Sequence, residues 1–158
     1  MDITEICMEC RNFFAPVSKK GDMSYIHSGE FTIEAGQSVT PLDFIAEGQY
    51  FRIVGSAMND GVYQKTVDGL AGLTSETFTG AIWEMSVPRA FLTLCADIAT
   101  WRKTNEAADS VNLSPFTSES FAGYSYSKGG SSQSGGNAVS WQAQFSKRLN
   151  AWRRLNVL

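Results

Sequence analysis

A single histidine, His27, is all the imidazole this chain holds, so any Ser-His-Asp or Cys-His mechanism must run through that one residue. It stands in a turn-rich stretch with no nucleophile recognisable beside it, and a surface position accounts for it without chemistry. Long apolar runs are missing as well. Nothing approaches the roughly 20 residues of a spanning helix, and the opening MDITEICMEC has neither the basic start nor the apolar core of a signal peptide. Synthesis and folding in the cytoplasm, with no membrane association, is the expectation. Basic excess is missing too: 13 Lys and Arg face 16 Asp and Glu, a net charge of -3. Such a chain lacks the surplus that holds a phosphate backbone non-specifically.

Cysteine is sparse and odd in number, at positions 7, 10 and 95, which does not suit a secreted disulfide framework and fits a reducing compartment. Cys7-Met8-Glu9-Cys10 is formally a C-x-x-C, and Cys95 with His27 would complete a tetrahedral zinc set. Structural zinc sites usually present two such knuckles, and this chain has one. No strand precedes the pair, as a thioredoxin-like unit requires. Small thiols packed on a helix face is the simpler reading. The acids Asp43, Glu47, Asp60 and Glu84 carry no spacing that demands a glycosidase-like couple. The Gly-rich tract 129–136 lacks the Lys-Ser/Thr pair of a phosphate loop. No catalytic residue, metal or cofactor is assigned.

What is present is an ordinary globular composition, 43% hydrophobic and 18% charged over 158 residues, enough for one domain with a small insertion. Ile3, Ile6, Cys7 and Cys10 share one face of a short helix, read as residues 3–14, and Pro16 with the polar run 18–22 breaks it. From residue 23 to 87 the period changes. Phe31, Ile33 and the runs YFRIV and VYQKTV alternate or cluster between glycines, and Asn59-Asp60-Gly61 is turn chemistry between the two runs, predicting a hairpin with a long loop. A further strand, TGAIWEMSV, ends at Pro88. Strands near 30, 51, 63 and 83 predict a small antiparallel barrel or meander.

Pro88 opens a predicted helix over 88–104, with Phe91, Leu94, Cys95 and Ile98 at helical spacing. The Ser- and Gly-rich stretch after it, carrying Phe121, Tyr124 and Tyr126, reads mostly as loop, and 129–136 as a flexible linker. A last helix over 138–155 places Trp141, Phe145, Leu149 and Trp152 in one stripe with Lys147, Arg148, Arg153 and Arg154 flanking it. No repeat of 20 to 50 residues is visible.

Several segments together resemble the head-tail adaptor, or connector, proteins of long-tailed bacteriophages and prophages. They are ICMECRNFF, PLDFIAEGQYFRIVGSAMNDGVYQ, GAIWEMSVP, SPFTSESFAGYSYSK and WQAQFSKRLNAWRRL, which span almost the whole chain. FRIVGSAMNDGVY also resembles small β modules of other phage neck and tail proteins. The resemblance implies a ring of about twelve copies beneath the portal vertex, lining the DNA channel between head and tail. Its implied partners are the portal protein, other neck or tail-completion proteins, copies of itself and DNA in transit without specific binding. Its implied location is the head-tail junction of the virion. The plainest members of the family are nearly all helix, so the β unit is a departure, and a head-completion or stopper protein is the nearest alternative.

The expectation is therefore an α+β protein. A helical bundle-type adaptor domain occupies 1–22 and 88–158, with a small antiparallel β domain at 23–87 inserted after the first helix. Trp141, Phe145, Leu149, Trp152, Arg153 and Arg154 are the expected portal-facing or intersubunit surface, because aromatics and Arg anchor interfaces. Asn59, Asp60, Phe121, Tyr124 and Tyr126 are expected loop contacts. Two readings of other classes compete: a binding module using Tyr50, Tyr63 or Trp83 as an exposed platform, and a hydrolase using His27 with a carboxylate.

Overall fold

Alternation of apolar and polar residues along 26–84 produces a five-stranded antiparallel sheet. The computed structural model describes residues 3–34, 38–70, 72–106, 118–121, 124–127 and 139–154. Two compact units divide the chain: Met1–Leu92 with Trp152–Leu158, and Thr93–Ala151.

In the first unit the strands are β1 (Ile26–Glu34), β2 (Ser38–Thr40), β3 (Tyr50–Val54), β4 (Gly61–Gln64) and β5 (Glu76–Glu84), in the order β2-β1-β5-β3-β4. One face buries Phe31, Ile33, Phe51, Ile53, Phe78 and Ile82, joined by Leu42, Ile45, Leu70 and Leu73 from the connecting segments. The strands at 30, 51, 63 and 83 and the long-looped hairpin are thus present, and β2 is an addition. The sheet curls into a half-barrel. Gly29 and Gly80 face each other across β1 and β5, and a Cβ on Gly80 would come 2.3 Å from the Val54 carbonyl oxygen. Only glycine lets β3 approach β5 there. Lys65 Nζ donates to the carbonyls of Leu42 and Ile45 at 2.9 and 2.8 Å, tying the turn before β3 to the end of β4.

The opposite face carries one cross-strand row, Ile26, Trp83, Arg52 and Val62. The helix α1 (Ile3–Cys10) buries Ile6, Cys7 and Cys10. Thr4 Oγ1 accepts the amide of Val62 at 2.9 Å. α1 stops short of the expected residue 14 because Arg11 takes φ 50° and Phe14 φ 45°, conformations a helix cannot hold. Leaving the helix lets Phe13 meet Trp83 edge-on at 6.2 Å while Phe14 packs at a tilt against Phe91 with ring centroids 4.6 Å apart.

The helix α2 (Arg89–Asn105) follows Pro88 as expected. Its body lies in the second unit with β6 (Ser118–Phe121), β7 (Tyr124–Ser127), α3 (Trp141–Gln144) and α4 (Ser146–Asn150). Two expectations need correction. The stretch read as loop contains the antiparallel pair β6 and β7. The continuous helix 138–155 is broken at Phe145, φ -100° and ψ 10°, into two short pieces. The described residues make a mixed α+β protein with a five-stranded antiparallel sheet and few helices, and a helical bundle is not what they form. The tract 129–136 lies outside the described residues.

Candidate functional site

The loop between β3 and β4, residues 55–60, is held by a dense set of side-chain hydrogen bonds. Glu76, the first residue of β5, turns its carboxylate under the loop. It accepts from the Ser56 hydroxyl, from the Ala57 and Met58 amides at 3.0 and 3.4 Å, and from Asn59 Nδ2 at 3.0 Å. These bonds, Ser56's first, hold the Glu76 carboxyl below its usual range. Asn59 is 2% exposed. Its Oδ1 accepts the Thr74 amide, its Nδ2 also donates to the Thr74 carbonyl, and its own amide donates to Ser56 Oγ. Asp60 accepts the Gly55 amide at 3.1 Å. The loop is fixed from beneath, and Met58 stands 67% exposed at its tip.

Sequence reading named Asn59 and Asp60 as contacts. Asn59 is the internal brace, whereas Asp60 is exposed, as is Met58. The Asn-Asp-Gly signal located the loop, but Glu76 stands 17 residues from Asn59 and no local pattern links them.

A second cluster joins His27 to Glu84. Glu84 is 4% exposed and accepts Lys19 Nζ on both oxygens at 2.7 and 2.8 Å, while His27 Nε2 lies 2.7 Å from Oε1. Burial pushes the Glu84 carboxyl up, but the Lys19 and His27 hydrogen bonds and charges outweigh it and hold it below the usual range. The His27 ring stacks on Phe44 at 3.7 Å. A carboxylate orienting an imidazole is two parts of a triad. Among the described residues no hydroxyl or thiol is hydrogen-bonded to His27. His27 lies within β1, not in the turn before it.

The third cluster is Arg52, whose guanidinium lies 3.8 Å from the Phe13 ring and 5.0 Å from Trp83. Burial lowers its pKa, against the opposing pull of Asp60. Trp83 is flanked edge-on by Phe13 and Tyr25, and Tyr63 donates its hydroxyl to the Asn59 carbonyl at 3.0 Å. Tyr50, Tyr63 and Trp83 are all half-buried and make no exposed platform.

Of the expected interface residues, Trp141 and Leu149 are 3% and 0% exposed. Phe145 meets Trp101 edge-on at 6.2 Å. Trp152 packs on Phe14 and Phe91 at 5.8 and 5.6 Å, and Arg153 pairs with Glu9. Arg154 is exposed, with its backbone amide bonded to the Cys10 carbonyl. Phe121, Tyr124 and Tyr126 occupy paired backbone positions in β6 and β7.

Among the described residues no three of His, Cys, Asp and Glu are grouped to hold a metal ion, and no helix is long and apolar enough to cross a membrane. Comparison with family models, with curated proteins and with solved structures returns no match.

Proposed function

We propose that the chain is a non-enzymatic structural subunit of a bacteriophage neck. In this reading it is a head-tail adaptor that assembles as a ring, joins the portal to the next neck or tail protein and lines the DNA channel. The observation that carries the structural class is the Glu76 brace. Four donors converge on one carboxylate to immobilise a loop whose exposed tip is a methionine. A rigid mount for an apolar side chain suits docking, because the ordering cost is met before the partner arrives. The phage assignment rests on the sequence resemblance, which spans almost the whole chain. A head-completion or stopper protein shares that chemistry and remains the alternative.

Native mass measurement and negative-stain imaging of the purified chain, alone and mixed with the portal from the same genome, test the reading. Rings or a portal complex are expected, with Met58→Glu weakening the complex while leaving the fold intact. A monomer that ignores the portal at every concentration would overturn the proposal.

A further inference from the structure

Arg52 stands in the middle of β3, on the face turned away from the apolar core, in the row between Trp83 and Val62. Its guanidinium carbon sits over the Phe13 ring at 3.8 Å and the Trp83 ring at 5.0 Å, and aromatic rings offer no acceptor to its in-plane N–H groups. Nothing in the fold bonds them. Nε is buried without an acceptor, and among the described residues it is the one buried side-chain nitrogen or oxygen in that state. Neither Nη has a hydrogen-bond partner, so the Nη edge is the part that reaches solvent, on a side chain 14% exposed. Asp60 comes nearest. Its Oδ1 lies 3.9 Å from Nη2, beyond hydrogen-bond length, while its Oδ2 is held by the Gly55 amide.

A charge placed in this way does little for the free chain. Burial penalises it, the unmade bonds leave that penalty uncompensated, and an apolar side chain of similar size in the same row would incur none of it. What the arrangement offers is a donor edge already fixed by packing. In-plane donors on a rigid fork take both oxygens of a carboxylate. The local charge selects the same ligand. The groups that act on Arg52 are Asp60 and, from α1, Cys7, with no second cation among them. A phosphate backbone is held by several cations together, whereas one guanidinium, partly offset by Asp60, matches a single carboxylate.

We propose that the Nη edge of Arg52 binds an Asp or Glu carboxylate of the protein that docks on the 55–60 loop. Asp60 ends that loop and Met58 stands two residues before it, so the partner feature read here is an acidic side chain beside an apolar one. The inference rests on the reading of the loop as a docking mount.

Affinity of the full chain for the portal from the same genome, with thermal melts alongside, tests this through two variants. Arg52→Lys keeps the charge, loses the fork and should weaken the complex by at least about tenfold. Asp60→Asn keeps an acceptor for the Gly55 amide, removes the competing charge and should tighten the complex about threefold. If Arg52 and Asp60 form only a structural pair, Asp60→Asn lowers the melting temperature and binding does not tighten, which overturns the proposal. Where Arg52→Lys fails to fold, Asp60→Asn decides alone. An Arg52→Lys chain that folds and binds as tightly as the unmodified one also overturns it, and the neck reading then stands. A small probe works without the portal. The Arg52 guanidinium NMR signals should shift saturably with sodium acetate and not with sodium chloride at equal ionic strength. No saturable shift overturns the carboxylate site, and a tighter response to inorganic phosphate overturns it in favour of a phosphate ligand. A chain that responds to acetate but ignores the portal at every concentration removes the neck reading and leaves the carboxylate site in place.

Discussion

Lys19 Nζ reaches both oxygens of Glu84, at 2.7 and 2.8 Å, and so pins the turn that follows α1 to the end of β5. His27 reinforces the same carboxylate from β1. The arrangement spends the chain's one histidine on holding strands in place.

A pH dependence follows from the lowered pKa of Glu84. Its folded value lies below its unfolded one, so its contribution is complete above the ordinary carboxylate value of 4.5 and is lost as pH falls through the folded value. Acid unfolding of the unmodified chain is expected to steepen below that point. Glu84→Gln should flatten this dependence and cost about 1–2 kcal/mol at neutral pH, a figure reduced by the solvent exposure of Lys19. Urea denaturation at several pH values checks it, and an unchanged acid transition in Glu84→Gln would contradict it.

Asn59→Ala removes three side-chain bonds from a nearly buried position and leaves the Thr74 amide and carbonyl without that partner. A loss of about 2–3 kcal/mol is expected. Glu76→Gln should cost less, because Glu76 is more exposed, yet free the loop: protease cleavage next to Met58 should quicken before global stability falls. Equal cleavage rates in Glu76→Gln and the unmodified chain would mean that the loop is held some other way.

The two glycines that face each other should respond in opposite ways. Gly80→Ala drives a Cβ to 2.3 Å from the Val54 carbonyl oxygen, a backbone atom, whereas a Cβ on Gly29 meets nothing within 4 Å. Gly80→Ala is expected to cost about 3 kcal/mol and Gly29→Ala to be neutral or slightly stabilising. Paired denaturation curves decide it, and equal midpoints would remove the steric account of the curl.

Period-two alternation made Phe51, Ile53, Phe31 and Ile33 readable as one buried face, and Asn59-Asp60-Gly61 announced the hairpin loop. Pro88 with the spacing of Phe91, Leu94 and Ile98 placed α2. What the sequence hid was long-range pairing. Glu76 under Ser56, or Lys19 on Glu84 across 65 positions, leaves no local trace. The aromatic stripe 141–152 misled differently. Steps of four, four and three read as one long helix, but the chain turns at Phe145, and Trp152 spends its ring on Phe14 and Phe91 in the first unit. The β6–β7 hairpin was missed because serine and glycine are weak strand signals. The period of its aromatics is evident only once the register is known.

Trp152 and Arg154, named together as interface residues, should separate on mutation. Trp152 is half-buried against Phe14 and Phe91, and its carbonyl accepts Asn12 Nδ2 at 2.9 Å. Trp152→Ala removes a large ring from that aromatic group and is expected to cost about 2–4 kcal/mol in the isolated chain. Arg154 is exposed, so Arg154→Ala should shift stability by less than about 0.5 kcal/mol. Any effect of Arg154→Ala on assembly or portal binding therefore reports the contact directly, whereas a loss of binding in Trp152→Ala must first be corrected for unfolding. Thermal melts of both variants, run beside the assembly measurement, make that correction. A Trp152→Ala chain as stable as the unmodified one, but unable to assemble, would return Trp152 to the interface and show that its packing on Phe14 and Phe91 adds little to the fold.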